Sequence, residues 1–505
     1  MKKRVYTLVN LTLGGIGLSL VSCQTDTPQQ KQPNIIYILA DDMGYGDIKA
    51  LNSESKIPTP TLDKMARTGL VFTDAHSNSA VSTPTRYGTL TGRYAFRSSL
   101  KSGVLIGHSP ALIEPKRETL ATMLQKAGYQ TACIGKWHLG LDWGRVNDSL
   151  PLFTGNEWDI RDTSNVDYLA KVGGGPDEHG FDYSYILPAS LDIAPYIYLE
   201  NGSASSKDIK HIEGWSDDKA RGIWHRHGDA ASDFNHSTCL QTLTQKTLDY
   251  IDSASTKENP FFVYFALTAP HTPWLPAEEY IGKSGAGYYG DFVCMVDDVV
   301  KQIYDALDKN GIADNTIVVF TSDNGSQWTK SDIDEFNHLS NGVFSGSKSD
   351  IWEGGHRIPF LLTWPKGVKE NREIKQLVCS TDIMATLSEM LDQPLANDAG
   401  EDSFSFWNTI VNNKDADGDF KRRKSVIHHS VNGSFAYREG DWVLLDCKGS
   451  GGWSLTEEDA KYLPAQQLYN LKEDITQQNN QSQHTEMVKT MLANLEHIVA
   501  SGRSN

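Results

Sequence analysis

One pattern constrains this chain more than any other: short, continuous apolar runs that each end in polar residues. The segments 34–40 (NIIYILA), 261–267 (FFVYFAL) and 316–321 (TIVVFT) carry no alternation of apolar and polar residues. Shorter runs lie at 131–134 and 358–364. A strand that is apolar on both faces belongs in a parallel sheet covered by helices. Helical patterns fall between the runs, with Leu120, Met123 and Leu124 in one, Val299, Val300, Ile303, Tyr304 and Leu307 in another, and Ile383, Met384, Leu387 and Leu391 in a third. This alternation predicts a large α/β domain with a mostly parallel sheet flanked by helices.

The residues just past the runs predict where chemistry sits. The first run leads into Asp41-Asp42, the run at 131 into Lys136-Trp137-His138, the run at 261 into His271, and the run at 316 into Asp323-Asn324. Ligands of open α/β sheets bind beyond the carboxyl ends of the strands. Four strands would thus deliver charged and ligating groups to one edge. Asp41, Asp42, Asp323 and Asn324 offer only oxygens, a set that suits Ca²⁺ or Mg²⁺ rather than Zn²⁺. Each acid alone reads as an ordinary turn or cap; the expectation rests on their convergence.

The N-terminus reads as a targeting segment. Lys2, Lys3 and Arg4 precede a largely apolar stretch that ends in Leu20-Val21-Ser22-Cys23. Residues 1–23 are expected to be a lipoprotein signal, with Cys23 as the lipid anchor to a membrane. Residues 24–33 form a polar tether, 34–404 the catalytic domain, and 405–505 a C-terminal subdomain with a short antiparallel sheet and a closing helix. Residues 140–235, rich in Gly, Asp, His and Trp with little periodicity, read as long insertions over the strand ends. The five cysteines after Cys23 are scattered without metal-ligand spacing and read as buried thiols. The net charge of −17 argues against nucleic acid as a partner. It does not exclude an anionic substrate, because net charge describes an envelope and not a pocket.

Residues 82–93, STPTRYGTLTGR, resemble the sulfatase signature, Cys or Ser-x-Pro-x-Arg followed by Thr-Gly. The likeness continues in order through Ala40-Asp41-Asp42-Met43-Gly44-Tyr45-Gly46-Asp47, Gly135-Lys136-Trp137-His138, His179-Gly180-Phe181-Asp182, Pro270-His271-Thr272-Pro273, Ser322-Asp323-Asn324-Gly325 and Glu353-Gly354-Gly355-His356-Arg357. It spans nearly all of residues 33–475. Within the family it looks nearest to arylsulfatase A and the N-acetylgalactosamine-6-sulfatase group. The resemblance implies an alkaline-phosphatase-like α/β fold with a smaller C-terminal α+β subdomain. It also implies a sulfuric ester hydrolase that acts through a formylglycine gem-diol and Ca²⁺.

Carried onto this chain, the resemblance makes Ser82 the residue converted to formylglycine by a maturation enzyme, and a ligand of the metal once converted. Asp41, Asp42, Asp323 and Asn324 would hold Ca²⁺. Arg86 would stabilise the gem-diol, Lys136, Lys348 and His271 would meet the sulfate, and His138 would orient the nucleophile. His271 is the preferred acid for the leaving oxygen. One position departs from the family: Ser347-Lys348 stands where Gly-Lys is common, although Lys348 keeps its distance from Glu353.

The expected substrate is a sulfated glycan, leaning to exo-acting removal of sulfate from galactose or N-acetylgalactosamine, a lean that rests on the resemblance alone. Candidate sugar contacts are Asp177, Glu178, His179, Asp192, Trp215 and Trp274. Two alternatives stand beside this reading: a phosphodiesterase or phosphonate monoester hydrolase of the same superfamily, and a non-catalytic glycan-binding homologue. The expected location is the periplasm, lipid-anchored to the outer or inner membrane, with the cell surface also open.

Overall fold

The computed structural model describes residues 32–412 and 422–505. The expected signal, Cys23 and nearly all of the tether lie outside the described residues. Among the described residues, no helix is long and apolar enough to cross a membrane.

A ten-stranded sheet organises the body Pro33–Asn505. Its centre is five parallel strands in the order Tyr183–Leu187, Gln130–Lys136, Phe261–Ala266, Asn34–Ala40 and Thr316–Ser322. The apolar runs form these strands because both of their faces are covered. Ile35, Tyr37 and Leu39 enter one core, and Ile36, Ile38 and Ala40 enter the other. The first core is closed by the helices Ser82–Thr91, Leu120–Lys126 and Ile383–Met390. The second is closed by Pro60–Thr68, Cys239–Ala254 and Gly287–Lys309.

Two features differ from the sequence reading. Phe360–Thr363 runs antiparallel to Thr316–Ser322, and Leu70–Phe72 antiparallel to it in turn, and antiparallel pairs also close the opposite edge, so the sheet is mixed on both sides of its parallel centre. Residues 140–235 are not only loops over the strand ends. They supply Tyr183–Leu187, Leu199–Glu200 and Ser203–Ala204 to the other side of the sheet. These strands have five residues or fewer, too short to show a period.

Gly135 explains how two central strands approach at the edge that matters. Its φ is +113°, and a Cβ there would lie 1.7 Å from the carbonyl oxygen of Ala266. Only glycine fits at this position, immediately before Lys136 at the end of the strand.

The C-terminal part is a four-stranded antiparallel sheet, Ser425–His429, Phe435–Glu439, Trp442–Asp446 and Gln467–Asn470. Helix Thr485–Ser501 packs Val488, Met491 and Leu495 against Tyr437, Leu444 and Leu468. Phe406 and Ile410 belong to the main core, so the chain leaves the large sheet only beyond them.

Candidate active site

The carboxyl ends of the central strands meet the N-terminus of helix Ser82–Thr91. Ser82 is the first helical residue and Pro84 lies in the first turn, where proline costs no hydrogen bond. The Ser82 hydroxyl lies 3.5 Å from Asp41 Oδ1 and accepts from Lys136 Nζ at 3.3 Å. Arg86, one turn on, is fully buried. It donates to Asp323 Oδ2 through Nε and Nη2 at 3.1 and 2.7 Å, to Asp41 Oδ1 at 3.2 Å and to the carbonyl of Lys136 at 3.0 Å. Burial opposes its charge, but Asp323 and Asp41 outweigh that and hold its pKa above the usual value.

Lys136 Nζ bridges both oxygens of Asp41 at 2.8 and 2.9 Å. Burial pulls the Lys136 pKa down, and the Asp41 carboxylate only partly restores it. Burial likewise raises Asp41, yet Lys136, His271 and Arg86 together keep it below the ordinary carboxylate range. Lys348 reaches Asp42 Oδ2 at 2.7 Å, and its pKa is raised because Asp42 and Asp41 outweigh the cost of its burial. Three buried cations thus stand against three buried carboxylates, Asp41, Asp42 and Asp323.

That balance tests the expected metal. Neutral among themselves, these side chains attract an anion strongly only when a divalent cation joins them. Asn324 completes the donor set. Its Nδ2 donates to Asp42 Oδ1 at 2.7 Å, while its buried Oδ1 has no partner. An orphaned buried carbonyl oxygen beside three carboxylates is a hard-cation ligand in waiting. Asp41, Asp42 and His271 also bring one ligand atom each within 4.8 Å of one another. The residues present fit Ca²⁺.

The backbone is shaped to bring these groups in. Asp42 and His138 adopt φ of +65° and +57°, conformations uncommon for side-chain-bearing residues and frequent at functional sites. His271 Nδ1 donates to the carbonyl of Thr272 at 2.6 Å, which leaves Nε2 facing Asp42 Oδ2 at 3.6 Å. His138 Nε2 donates to the carbonyl of Leu105 at 2.7 Å, and its Nδ1 is buried without a partner. Burial, with Lys136 and Arg86 nearby, drives the His138 pKa well down, so the ring is neutral.

The sugar-contact candidates divide. Asp192 is in the site: it lies 3.8 Å from His271 Nδ1 and binds Arg226 Nη1 at 2.5 Å. Trp215 is 45% exposed, on a hairpin beside a groove that Leu275 also lines. Trp274 is not a sugar platform. It is buried, with Tyr289 and Trp328 against it and the Arg221 guanidinium 4.7 Å from its ring. Asp177, Glu178 and His179 are also not at the site. The carbonyls of His179 and Gly180 accept from Thr119 and Thr131, which places the segment at the amino ends of the strands. Lys136 lies at the other end, roughly 13 Å along a five-residue strand.

Two groups were not foreseen. Arg226 has one face on Trp158 and Trp224, with ring centres 5.3 and 4.8 Å away. It sits in a stretch without periodicity, so no sequence signal marks it. Asp47 anchors the acidic loop from beneath. It accepts from Tyr289 Oη at 2.5 Å, from the Gly44 amide at 2.8 Å and pairs with His338 at 2.8 Å. The tyrosine hydroxyl also lies 3.2 Å from the carbonyl of Asp42.

Comparison with known proteins decides the family. The sulfatase family model matches residues 33–393. The chain belongs to the sulfatase family. It is 32% identical to an N-acetylgalactosamine-6-O-sulfatase of Bacteroides thetaiotaomicron over 98% of this chain and 99% of that protein. It is 27% identical to the N-acetylgalactosamine-6-sulfatase of Mus musculus over 90% of this chain and 79% of that one. Among solved structures, one from Bacteroides thetaiotaomicron, described in connection with glycosaminoglycan metabolism, superposes with a TM-score of 0.79. The two share 29% identity and are covered to 93% and 99%. This sulfatase is a sulfuric ester hydrolase, and the cluster around Ser82 is its candidate active site.

Proposed function

We propose that this sulfatase removes a single O-sulfate, from the outermost residue of a sulfated glycan, with Ser82 converted to formylglycine and Ca²⁺ held by Asp41, Asp42, Asp323 and Asn324. The observation that carries the reading is Ser82 itself, a buried serine at a helix N-terminus between Lys136 and Asp41. An unmodified serine hydroxyl is a weak nucleophile at neutral pH. Hydrated formylglycine would supply a stronger nucleophilic oxygen, and Ca²⁺ would hold it and draw charge from the sulfate oxygens.

The chain's own residues then have distinct tasks. Arg86 locks Asp41 and Asp323 in place and fixes the base of the pocket. Lys136 and Lys348 turn from their carboxylates toward sulfate oxygens when the substrate and a divalent cation share the site. His271 Nε2 is the atom placed to hold a proton for the departing sugar oxygen, with Nδ1 pinned by Thr272. Neutral His138 would offer Nδ1 as an acceptor that orients the nucleophile. Asp192 and Arg226, on the far side of His271, fit the hydroxyls of the sugar ring.

The names of two similar relatives favour an N-acetylgalactosamine 6-sulfate, with a glycosaminoglycan as one source. Cys23 would tether the enzyme by lipid on the periplasmic side of a membrane. The test is a panel of defined sulfated mono- and disaccharides, assayed with protein from a host that makes formylglycine. Mass spectrometry of the peptide containing position 82 accompanies it. Release of sulfate from 6-sulfated galactosamine units with a modified peptide supports the reading. A phosphodiester turned over faster than every sulfate ester, or an unmodified Ser82 in an active protein, refutes it.

A further inference from the structure

A second constellation lies outside the active site, where the two-stranded pairing of Ala75–His76 with Val378–Cys379 and the turn Glu353–His356 meet the C-terminal sheet. His76, His356 and His428 are buried, and one ring nitrogen from each lies within 4.8 Å of the others. They come from three segments: strand Ala75–His76, the helical turn Glu353–His356 and strand Ser425–His429.

The hydrogen bonds around the rings set their tautomers. His356 Nε2 is 3.1 Å from the carbonyl of Ile351, so it carries hydrogen and Nδ1 carries a lone pair. His428 Nδ1 is 2.8 Å from the carbonyl of Ser77, so its Nε2 carries a lone pair. His76 Nε2 is 2.8 Å from Asp74 Oδ1, much closer than the arginine nitrogens at 3.3 and 3.4 Å, so it donates and its Nδ1 is bare. The Nδ1 atoms of His76 and His356 therefore face each other at 3.0 Å, lone pair to lone pair. His428 Nε2 is buried with no partner at all. Burial pulls the pKa of all three rings down, to about 3 for His356.

A proton between His76 and His356 would relieve one repulsion and leave His428 Nε2 unsatisfied. A metal ion takes all three lone pairs. We propose that His76, His356 and His428 bind a first-row transition cation of the zinc class, which ties the segments Ala75–His76 and Glu353–His356 to the C-terminal sheet. Imidazole nitrogen suits such ions, as oxygen suits Ca²⁺ in the active site. The second ring nitrogens meet a carboxylate and two backbone carbonyls, the partners that orient metal-bound histidines. The nearest guanidinium groups, Arg357 and Arg438, are matched by Asp74 and Glu353, so their charge does not oppose the ion. His356 and His428 lie stacked, 3.8 Å apart and 12° from parallel, and one ring tilts to bring both lone pairs onto one ion.

Cobalt is the probe. The full-length chain is expressed in cobalt-supplemented medium and dialysed against excess Ca²⁺, which clears the oxygen-lined active site. We expect about one cobalt retained per chain, with the visible absorption of a nitrogen-ligated ion, because a folded site releases its metal slowly. Wild-type protein that retains less than about a tenth of an equivalent of cobalt, and of zinc from zinc-supplemented medium, overturns the proposal. His428→Gln should lose the retained metal while keeping Ca²⁺-dependent sulfatase turnover. Full retention of cobalt by that variant also overturns the proposal. Should His428→Gln fail to fold, the metal content and visible spectrum of the wild type decide.

Discussion

Replacing Asn324 with Asp exchanges a donor for a negative charge in a position whose surroundings are defined on both sides. The amide nitrogen donates to Asp42 Oδ1 at 2.7 Å, and the amide oxygen has no partner. A hydrogen bond to a charged group contributes about 1.5–3 kcal/mol. Its loss is joined by repulsion between two carboxylates, on the order of a few kcal/mol at an effective dielectric near 20. Protonation of the new acid caps the total at about 6 kcal/mol near pH 8, from about 1.4 kcal/mol per pH unit above its ordinary pKa. Asn324→Asp should therefore be about 2–5 kcal/mol less stable than wild type in excess EDTA. Excess Ca²⁺ reverses the sign of the interaction, because the fourth carboxylate becomes a ligand. The stabilisation by Ca²⁺ should then exceed that of wild type by a similar margin. The assay is denaturant unfolding of both proteins at pH 8, in EDTA and in Ca²⁺. A Ca²⁺-induced shift in the variant no larger than in wild type would refute the assignment of Asn324 to the metal.

Lys348→Met keeps the side-chain length and removes the charge 2.7 Å from Asp42; kcat/KM for a sulfated sugar should fall about 10²–10³-fold, as on removing a transition-state donor. A fall below tenfold places Lys348 outside the sulfate-binding set. Trp274→Ala should cost about 3–5 kcal/mol of stability, as large buried aromatics do, whereas Trp215→Ala should leave the unfolding midpoint unchanged and raise KM for glycans only; equal stability losses would contradict the burial assignments. Gly135→Ala should prevent soluble expression, because its Cβ would meet the carbonyl of Ala266 at 1.7 Å, and a stable Gly135→Ala protein would show that these two strands pack differently. Burial depresses the pKa of His108 and His429 to about 4, so the unfolded chain binds more protons between pH 6.5 and 4. Stability should be full above pH 6.5 and fall on the order of 3 kcal/mol per histidine as pH drops to 4; replacing either ring with an uncharged side chain should flatten that slope, and an unchanged slope would remove it as the cause.

Burial on both faces was legible in the sequence because it acts locally. Every second residue of 34–40 must be apolar if one face is covered, and every residue if both are. The same logic carried Asp41, Lys136, His271 and Asp323 to one edge, since parallel strands all end on the same side. It does not extend to Asp177, Glu178 and His179, expected as sugar contacts without any strand-end argument, which precede a strand instead of following one. Their polar character is that of the residues at the catalytic edge, and only the direction of Tyr183–Leu187 separates the two ends. Trp274 and Trp215 show a second limit, since only three-dimensional packing buries one and leaves the other at the surface.

The charge of the chain illustrates the same division between local and assembled properties. A net charge of −17 is written over the envelope, and such a charge disfavours binding to polyanions at large. The pocket obeys a different sum. Arg86, Lys136 and Lys348 arrive from a helix, a strand end and a loop, and each is bonded to a carboxylate that arrives from elsewhere. Desolvation makes every one of these pairs costly to break from one side, so the cations are fixed before any substrate enters. A sulfate then competes for lysines already in position, and a divalent cation on the carboxylates makes that competition favourable. Metal and substrate should on this account bind cooperatively. Substrate affinity measured in EDTA should fall well below that in Ca²⁺, even for a Ser82→Ala variant unable to turn over, and equal affinities would show that the lysines do not depend on the metal to release their carboxylates.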